Sequence, residues 1–494
     1  MCKSDRLFSE CLPESMGISS TDIINLIDDF ERYGFFIHSF LIIRKGHIVA
    51  EGYYAPFKKD EFHRAYSISK TFTATAIGLL ADEGKLSLYD PVCKFFPEKD
   101  TENLHPFIKE TKIRDLLMMA TPFLGARYDE KTPNWTDVFF TTKPNHPSGT
   151  VFRYDSLGTY ILCVIVERLT KKPFLEYLKD KVLRDLGFSK NSWCIKAPEG
   201  NSWGASGVIC SMRDLARLGL LYLNKGRING KQYLSEEYVK EATKKQIDNN
   251  PYGHEKNYNY GYGYKIWITR DNSFSFMGMG DQEVICIPDK DFMFVCHSDN
   301  QGNPMSEGML YELLWRNVVS KMKDSPLEED KKAYTKLKNK TEKLTLKKPA
   351  GEKYSEKVKE INGVSYVLDE NPMKITKVSF KFSEDKGTFI YDTPRGQKEI
   401  AFGLGDYVLG EFPETHYSGD TIGVPSERGF RYNACGNWVE NDKLSVRVNI
   451  IDDYFGNLTI TMSFKDDTIT IYMFKTAEMF LDEYNGFATG KKEK

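Results

Sequence analysis

Hydrophobic positions are spaced in three different ways along the 494-residue chain. In the first stretch, short alternating runs flank a long helical middle. "SFLIIRKGHIVAEGYY" (39–54) reads as two strands around a turn at Lys45-Gly46. From Thr71 to Glu83, Ala, Ile and Leu recur at helical spacing, and Gly84 supplies the stop. "TKIRDLLMMA" (111–120) is a short helix ended by Thr121-Pro122, "SLGTYILCVIVERLT" (156–170) an apolar core helix, and "FLEYLKDKVLRDLGF" (174–188) an amphipathic one. "SMRDLARLGLLYLNKGR" (211–227) opens on a Ser N-cap with Asp214 in its first turn. Strands return in "QEVICIPD" (282–289) and "DFMFVCHSD" (291–299), and "EGMLYELLWRNVVSKM" (307–322) closes the stretch as a helix. Strands at both ends with helices between them predict an α+β domain over residues 1–322, an antiparallel sheet carrying a large helical lobe.

Residues 323–359 are rich in Lys and Glu and poor in apolar residues, which predicts a solvated linker with some helix. Beyond it, 360–490 is a succession of short alternating runs, among them "KITKVSFKF", "TFIYDT", "KLSVRVNII", "NLTITMSFK" and "DTITIYMFK". Turn residues separate them at regular spacing, which predicts an all-β barrel or sandwich.

Composition narrows the classes of function. The net charge is −2, so nothing in the bulk charge calls for nucleic acid or an anionic membrane. No stretch of about 18 apolar residues is present, so no membrane span is expected. The first residues, "MCKSDRLFSECLPESMG", contain no apolar h-region. A cytoplasmic chain is the plainer expectation; an exported one would have lost its signal, with Cys2 as the remnant of a lipoprotein start. The nine cysteines are scattered, form no C-x-x-C and have no His cluster beside them, so neither zinc nor any other cofactor is expected. Cys163 and Cys286 sit inside apolar runs and read as small core residues, and the odd count favours free thiols.

The stretch with chemistry in it is "HRAYSISKTFTATAIGLLADEGKL" (63–86), where Ser67 precedes Lys70 by three residues at a helix start. On a helix the two share a face, one turn apart. A serine hydroxyl is a weak nucleophile until a base takes its proton, and a lysine serves if burial leaves it partly neutral. The backbone N–H of a serine at a helix start also points toward where an oxyanion would form. His63, four residues upstream, reads as a solvated loop residue.

The segments around this motif resemble the class C β-lactamase-like serine hydrolases, which include penicillin-binding DD-peptidases, certain esterases and the 6-aminohexanoate-dimer hydrolases. The resemblance runs from about residue 12 to 322, and "LARLGLLYLNKGRINGK" looks most like the aminohexanoate-dimer-hydrolase branch. It implies Ser67 as nucleophile and Lys70 as base. The family's Tyr-x-Asn motif matches Tyr154-Asp155-Ser156, so Tyr154 is expected to relay the serine proton and Ser156 to contact the substrate while also capping its helix. The family's third triplet, Lys-Thr-Gly or His-x-Gly, matches Met279-Gly280-Asp281, and Gln282 is expected to give the second oxyanion N–H. Met279 in place of a cation implies a neutral pocket. The activity implied is hydrolysis of a small or peptide-like amide or ester through an acyl-enzyme. The rival expectations are a catalytically weak recognition protein, and a DD-peptidase or β-lactamase. The C-terminal domain resembles the lipocalin-like barrels appended to some of these enzymes.

Overall fold

In the computed structural model, the alternating runs near the two ends of residues 1–322 become neighbours in one sheet. The structure describes residues 7–494 apart from 100–102, 126–127, 130, 251–255, 304, 416–428 and 478–480. Cys2 lies outside the described residues. The chain forms two compact units, residues 1–345 and 346–494.

The sheet of the first unit has seven strands in the order Ser9–Glu10, His47–Tyr53, Ile37–Arg44, Phe292–Ser298, Gln282–Ile287, Phe274–Gly278, Trp267–Ile268. The pairs are antiparallel except at the Ser9–Glu10 edge. The hairpin turn falls at Lys45 and Gly46, both with positive φ. All eight residues of Ile37–Arg44 are buried, because both faces of the sheet are covered. Successive residues of the adjoining strand report the two faces. Met293 faces the Met212–Leu223 helix, where a Cβ on Gly219 would meet its sulfur at 2.4 Å. Phe294 faces the other way, its ring 6.3 Å from Phe30 of the Ser20–Arg32 helix. That second helix adds to the expected elements. Its signal is present in Ser19 as N-cap and in Ile23, Ile27 and Phe30, all buried at helical spacing.

The helical lobe is built on Ser69–Asp82 packed against Ser156–Thr170. Ser211 and Asp214 form the expected capping box on Met212–Leu223. The charged run after residue 322 contains the helix Lys331–Thr341, which packs on Ser20–Arg32. Its one apolar anchor, Leu337, is buried, and Lys340 pairs with Asp28 and Glu31 at 2.9 and 3.0 Å. A polar composition therefore hides an amphipathic helix whose partner face carries the opposite charge.

The second unit is a closed barrel of nine strands. They follow from Ser365–Leu368 through Lys377–Phe382, Lys386–Thr393 and Gly396–Leu404 to Phe430–Glu440, then Lys443–Ile451, Phe455–Lys465, Thr468–Thr476 and Gly486–Lys492 back to the first. Closure is a short parallel pairing of Gly403 with Cys435 and Leu404 with Gly436. Val408–Phe412 adds a tenth strand, paired with Phe430–Glu440. Phe380, Phe389, Phe402, Trp438 and Phe464 are buried in the barrel. No helix among the described residues is long and apolar enough to cross a membrane.

Candidate active site

Ser67 lies in a single 3-10 turn, Tyr66–Ile68, that leads into Ser69–Asp82. Tyr66 has φ +45, a left-handed conformation that costs a non-glycine residue of order 1 kcal/mol. The surroundings hold it there. The Arg64 guanidinium stacks 4.2 Å from the Tyr66 ring centroid and 4.9 Å from that of Trp203. Arg64 also donates to the Ser206 carbonyl at 3.0 Å.

Lys70 sits one turn on, buried, with its Nζ 2.8 Å from Ser67 Oγ. The same Nζ donates to the Ala205 carbonyl at 2.7 Å. The 203–208 loop is stitched to the helix on either side of that bond. Thr73 Oγ1 donates to Gly204 O at 2.9 Å, and Val208 N–H donates to Ser69 Oγ at 3.0 Å. Gly204 is needed for this approach, since a Cβ there would meet Thr73 Oγ1 at 2.5 Å. Lys70 is thus held by a loop 135 residues away rather than by chance rotamer preference.

Tyr154 joins them, with Lys70 Nζ 5.0 Å from its ring centroid. Its ring stacks on Trp267 at 5.7 Å. The next residue, Asp155, is the N-cap of Ser156–Thr170. Its carboxylate accepts the Leu157 N–H at 2.8 Å and the Gly158 N–H at 3.3 Å. This corrects the expectation that Ser156 caps the helix. A carboxylate reaches two N–H groups and leaves Ser156 as the first helical residue, half-buried.

A second lysine, Lys265, lies beside this group and has no place in the motifs. It is buried, and Thr71, the neighbour of Lys70, donates to its carbonyl at 3.1 Å. Its N–H bonds Leu117 O at 2.9 Å, and its Nζ contacts Met119 Sδ at 3.1 Å, a weak acceptor. Burial pulls the Lys265 ammonium well below the usual lysine range; the Asp155 carboxylate opposes that shift and the Lys70 charge adds to it. The signal for it in the chain is a lone cation inside the aromatic run "YNYGYGYKIWI".

The third triplet is the turn between Phe274–Gly278 and Gln282–Ile287. This hairpin abuts the Ser67 turn, for a Cβ on Gly278 would meet Ala65 O at 2.5 Å. Met279 is 43% exposed, Gly280 takes φ +76, and Asp281 takes φ +63. Gln282 is 0% exposed. Its amide donates to Ser298 O at 2.6 Å and Met279 O at 2.9 Å, and accepts the Ser298 N–H at 3.2 Å. Ser298 Oγ donates to Gly280 O at 2.5 Å, and Asn300 Nδ2 to Asp281 Oδ2 at 2.8 Å. Gln282 therefore braces the turn from behind, and its N–H is sealed from solvent in this conformation. Along this rim Met277 and Gly280 are half-buried and Gly278 is buried.

His63 is not solvated. The strand His63–Arg64 pairs with Val208–Cys210, which buries the ring. His63 Nε2 lies 2.7 Å from His38 Nδ1, and the ring stacks on His297 at 4.4 Å. Burial holds the His63 imidazole down to about 3, with its bond to Arg64 O a partial offset. Burial and the neighbouring His63 likewise push His297 well below the usual range. Among the described residues no group of three His, Cys, Asp or Glu side chains is placed to hold a metal ion. Eight free cysteines are described, Cys163 and Cys286 fully buried. A hollow of about 370 Å³ lies between His47–Tyr53 and Lys331–Thr341, and none of Ser67, Lys70 and Tyr154 lines it.

Comparison with known proteins agrees with this architecture. A 6-aminohexanoate-dimer hydrolase of Paenarthrobacter ureafaciens is 27% identical over 218 residues, 41% of this chain and 55% of that relative. The chain thus spans about half the length of that relative. Two solved structures share the fold. A penicillin-binding protein homologue from Pyrococcus abyssi, described as octameric, superposes with TM-score 0.50 at 18% identity, covering 95% of this chain and 99% of its own. A penicillin-binding protein homologue from Caulobacter crescentus gives TM-score 0.50 at 16% identity, covering 63% and 99%. The family model described as Beta-lactamase matches residues 25–315, more than half of the chain. The chain belongs to the beta-lactamase family.

Proposed function

We propose that the protein is a serine hydrolase that opens an amide or ester through an acyl-enzyme on Ser67. The observation that carries this reading is the 2.8 Å approach of the buried Lys70 Nζ to Ser67 Oγ, with the Tyr154 ring beside it. A neutral amine at that distance takes the Ser67 proton as Oγ bonds to the carbonyl carbon. The proton then passes by Lys70 or Tyr154 to the leaving amine or alcohol as the tetrahedral intermediate collapses. Water, activated by the same pair, releases the acyl group. The Ser67 N–H supplies one oxyanion donor. The second comes from the backbone of the Gly278–Gln282 turn, which lies against the Ser67 turn. The exposed Met279 in the place of a cation favours a neutral acyl group over one bearing a carboxylate. The hydrolase named among the relatives supports amide or ester chemistry.

Intact mass after incubation with a fluorophosphonate tests this. A covalent adduct on Ser67, absent in Ser67→Ala, is the expected result. Folded protein that no fluorophosphonate, p-nitrophenyl ester, D-amino-acid amide or nitrocefin acylates would instead be a recognition protein on a hydrolase scaffold. Labelling by a fluorescent penicillin would move the reading to a DD-peptidase or β-lactamase.

A further inference from the structure

The sheet of the first unit has an edge that is paired at both ends and open between them. The strand at this edge is His47–Tyr53. At one end Ser9–Glu10 runs parallel to it, and the Cys11 N–H donates to Ile48 O at 3.1 Å. Past the other end Thr345 pairs with Ala55, again in parallel, and the Ala55 N–H donates to Leu344 O at 2.8 Å. Cys11 therefore stands opposite Val49, and Leu344 opposite Tyr54. Between them, Ala50 to Tyr53 have no strand on that side among the described residues. At about 3.3 Å per residue the open length is about 13 Å.

The pairing on the inner side decides which main-chain groups face this gap. The Tyr54 N–H bonds His38 O at 2.9 Å, so the alternation of an antiparallel ladder turns Gly52 inward as well. Glu51 and Tyr53 then turn their N–H and C=O outward, as Ala55 does. Among the described residues no main-chain or side-chain group bonds these outward atoms. They border the hollow of about 370 Å³, which Tyr334, Lys338 and Thr341 line from one face of Lys331–Thr341. Buried Ile48, Val49 and Phe57 add an apolar lining. Charges there are matched within the fold, Glu51 with Arg213 at 2.6 Å and Lys338 with Glu10 at 3.9 Å.

We propose that this gap is a binding site for an extended, neutral peptide of about four residues, which completes the sheet edge as a parallel strand. The segments on either side already set the direction and the bond pattern. In that pattern the peptide residue opposite Gly52 donates its N–H to Glu51 O and accepts the Tyr53 N–H. The residue opposite Ala50 accepts the Glu51 N–H. Main-chain bonds thus hold the peptide, while the apolar lining and the internally matched charges select small or β-branched neutral side chains. Proteins ordinarily cover or blunt an exposed edge. Here both ends are covered, and the helix bounds the hollow at the open middle, which favours a single strand over the edge of another sheet.

The inference stands apart from the acyl-enzyme reading, and its test reads no activity. Amide hydrogen exchange of the full chain is followed residue by residue, alone and with a set of acetylated, amidated tetrapeptides built from Val, Ile, Thr and Ser. In the free chain the Glu51 and Tyr53 amides should exchange faster than that of Gly52, which faces the inner strand. A bound tetrapeptide should slow both. N-methylation of its third residue, the one opposite Gly52, should weaken binding about tenfold, the worth of one main-chain bond. Thr341→Trp, which fills the hollow from the helix, should abolish binding, with circular dichroism as the check on folding. Absence of protection by every tetrapeptide overturns the inference. So does binding that neither N-methylation nor the folded Thr341→Trp variant weakens. Glu51 and Tyr53 amides already slow in the free chain overturn it too: slowing that grows with protein concentration would make the edge a contact between two copies, and slowing that does not would mean that the chain covers its own edge.

Discussion

The Ser67–Lys70 turn and the Met279–Asp281 turn match the family's first and third motifs by resemblance, and they are built in opposite ways. In the first, the groups proposed to react are the motif side chains themselves, and other parts of the chain hold them: the neighbouring Arg64 under Tyr66, and the distant Ala205 carbonyl on Lys70. In the second, the motif side chains have changed, and the backbone path is held instead by Gln282, Ser298 and Asn300 from behind. Where side chains react, substitution ends the chemistry. Where a backbone path is what matters, side chains are free to drift so long as the bracing stays. The difference predicts a steep order of mutational effects across one cleft.

The largest effect falls on the first turn. Lys70→Ala removes the base within reach of Ser67 and is expected to slow acylation by on the order of 10²–10⁴-fold. Stopped-flow release of p-nitrophenol measures it. A loss below tenfold would mean that Tyr154 or water deprotonates Ser67 unaided, and the contrast between the turns would weaken.

On the second turn the effect belongs to the brace. Gln282→Ala leaves Ser298 O, Met279 O and the Ser298 N–H without their partner in a buried site. A stability loss of about 1–3 kcal/mol is expected in urea unfolding, with a parallel loss of acylation. A variant as stable and as active as the parent would show that the turn keeps its path unaided.

Intermediate in size is the effect of His63, which is hydrogen-bonded to His38 and stacked on His297. The folded state holds His63 neutral down to about 3, whereas an unfolded imidazole protonates near 6.5. The unfolded chain therefore binds more protons, so this contribution is fully present above about pH 6.5 and is lost as pH falls toward 3, by up to about 1.4 kcal/mol per pH unit. Calorimetric midpoints at pH 7 and pH 5 should differ less in His297→Phe, which keeps the stacked ring and removes one titrating group. An unchanged difference would place the pH sensitivity in the carboxylates.

Much of this was legible in the chain, and the parts that were not share a cause. The helix expected at 156–170 has those bounds, because its apolar period is unbroken and Lys171 ends it with φ +56. The Ser67 and Lys70 pairing follows from spacing along one turn, a local relation. Barrel strands with clean alternation, such as Lys443–Ile451, were visible. Phe430–Glu440 was not, since seven consecutive residues of it are buried and its Asn, Ala, Cys and Gly carry no alternating pattern. Gly486–Lys492 is short and holds two glycines. Asp155 as cap, Gln282 as brace and Lys265 as neighbour of Lys70 all depend on what lies across the fold. Tertiary contact assigns such roles, and residue type alone does not announce them.

The smallest expected effect is the one that tests the comparison most closely. Met279, which the resemblance sets in the place of the family's cation, is 43% exposed. Met279→Ala should change stability by less than about 0.5 kcal/mol, as for surface positions generally. Acylation by a neutral p-nitrophenyl ester should stay within about threefold, since the side chain is exposed and the bond to Gln282 uses the backbone carbonyl. Met279→Lys is the sharper probe. A surface lysine leaves the Gln282 and Ser298 bonds intact, so neutral esters should again be nearly unaffected. Ester substrates carrying a carboxylate on the acyl group should gain, by roughly the two- to fivefold that one exposed ion pair supplies. If both ester types lose activity equally, Met279 shapes the backbone of the turn after all, and the division between a turn of reacting side chains and a turn of braced backbone fails at this residue.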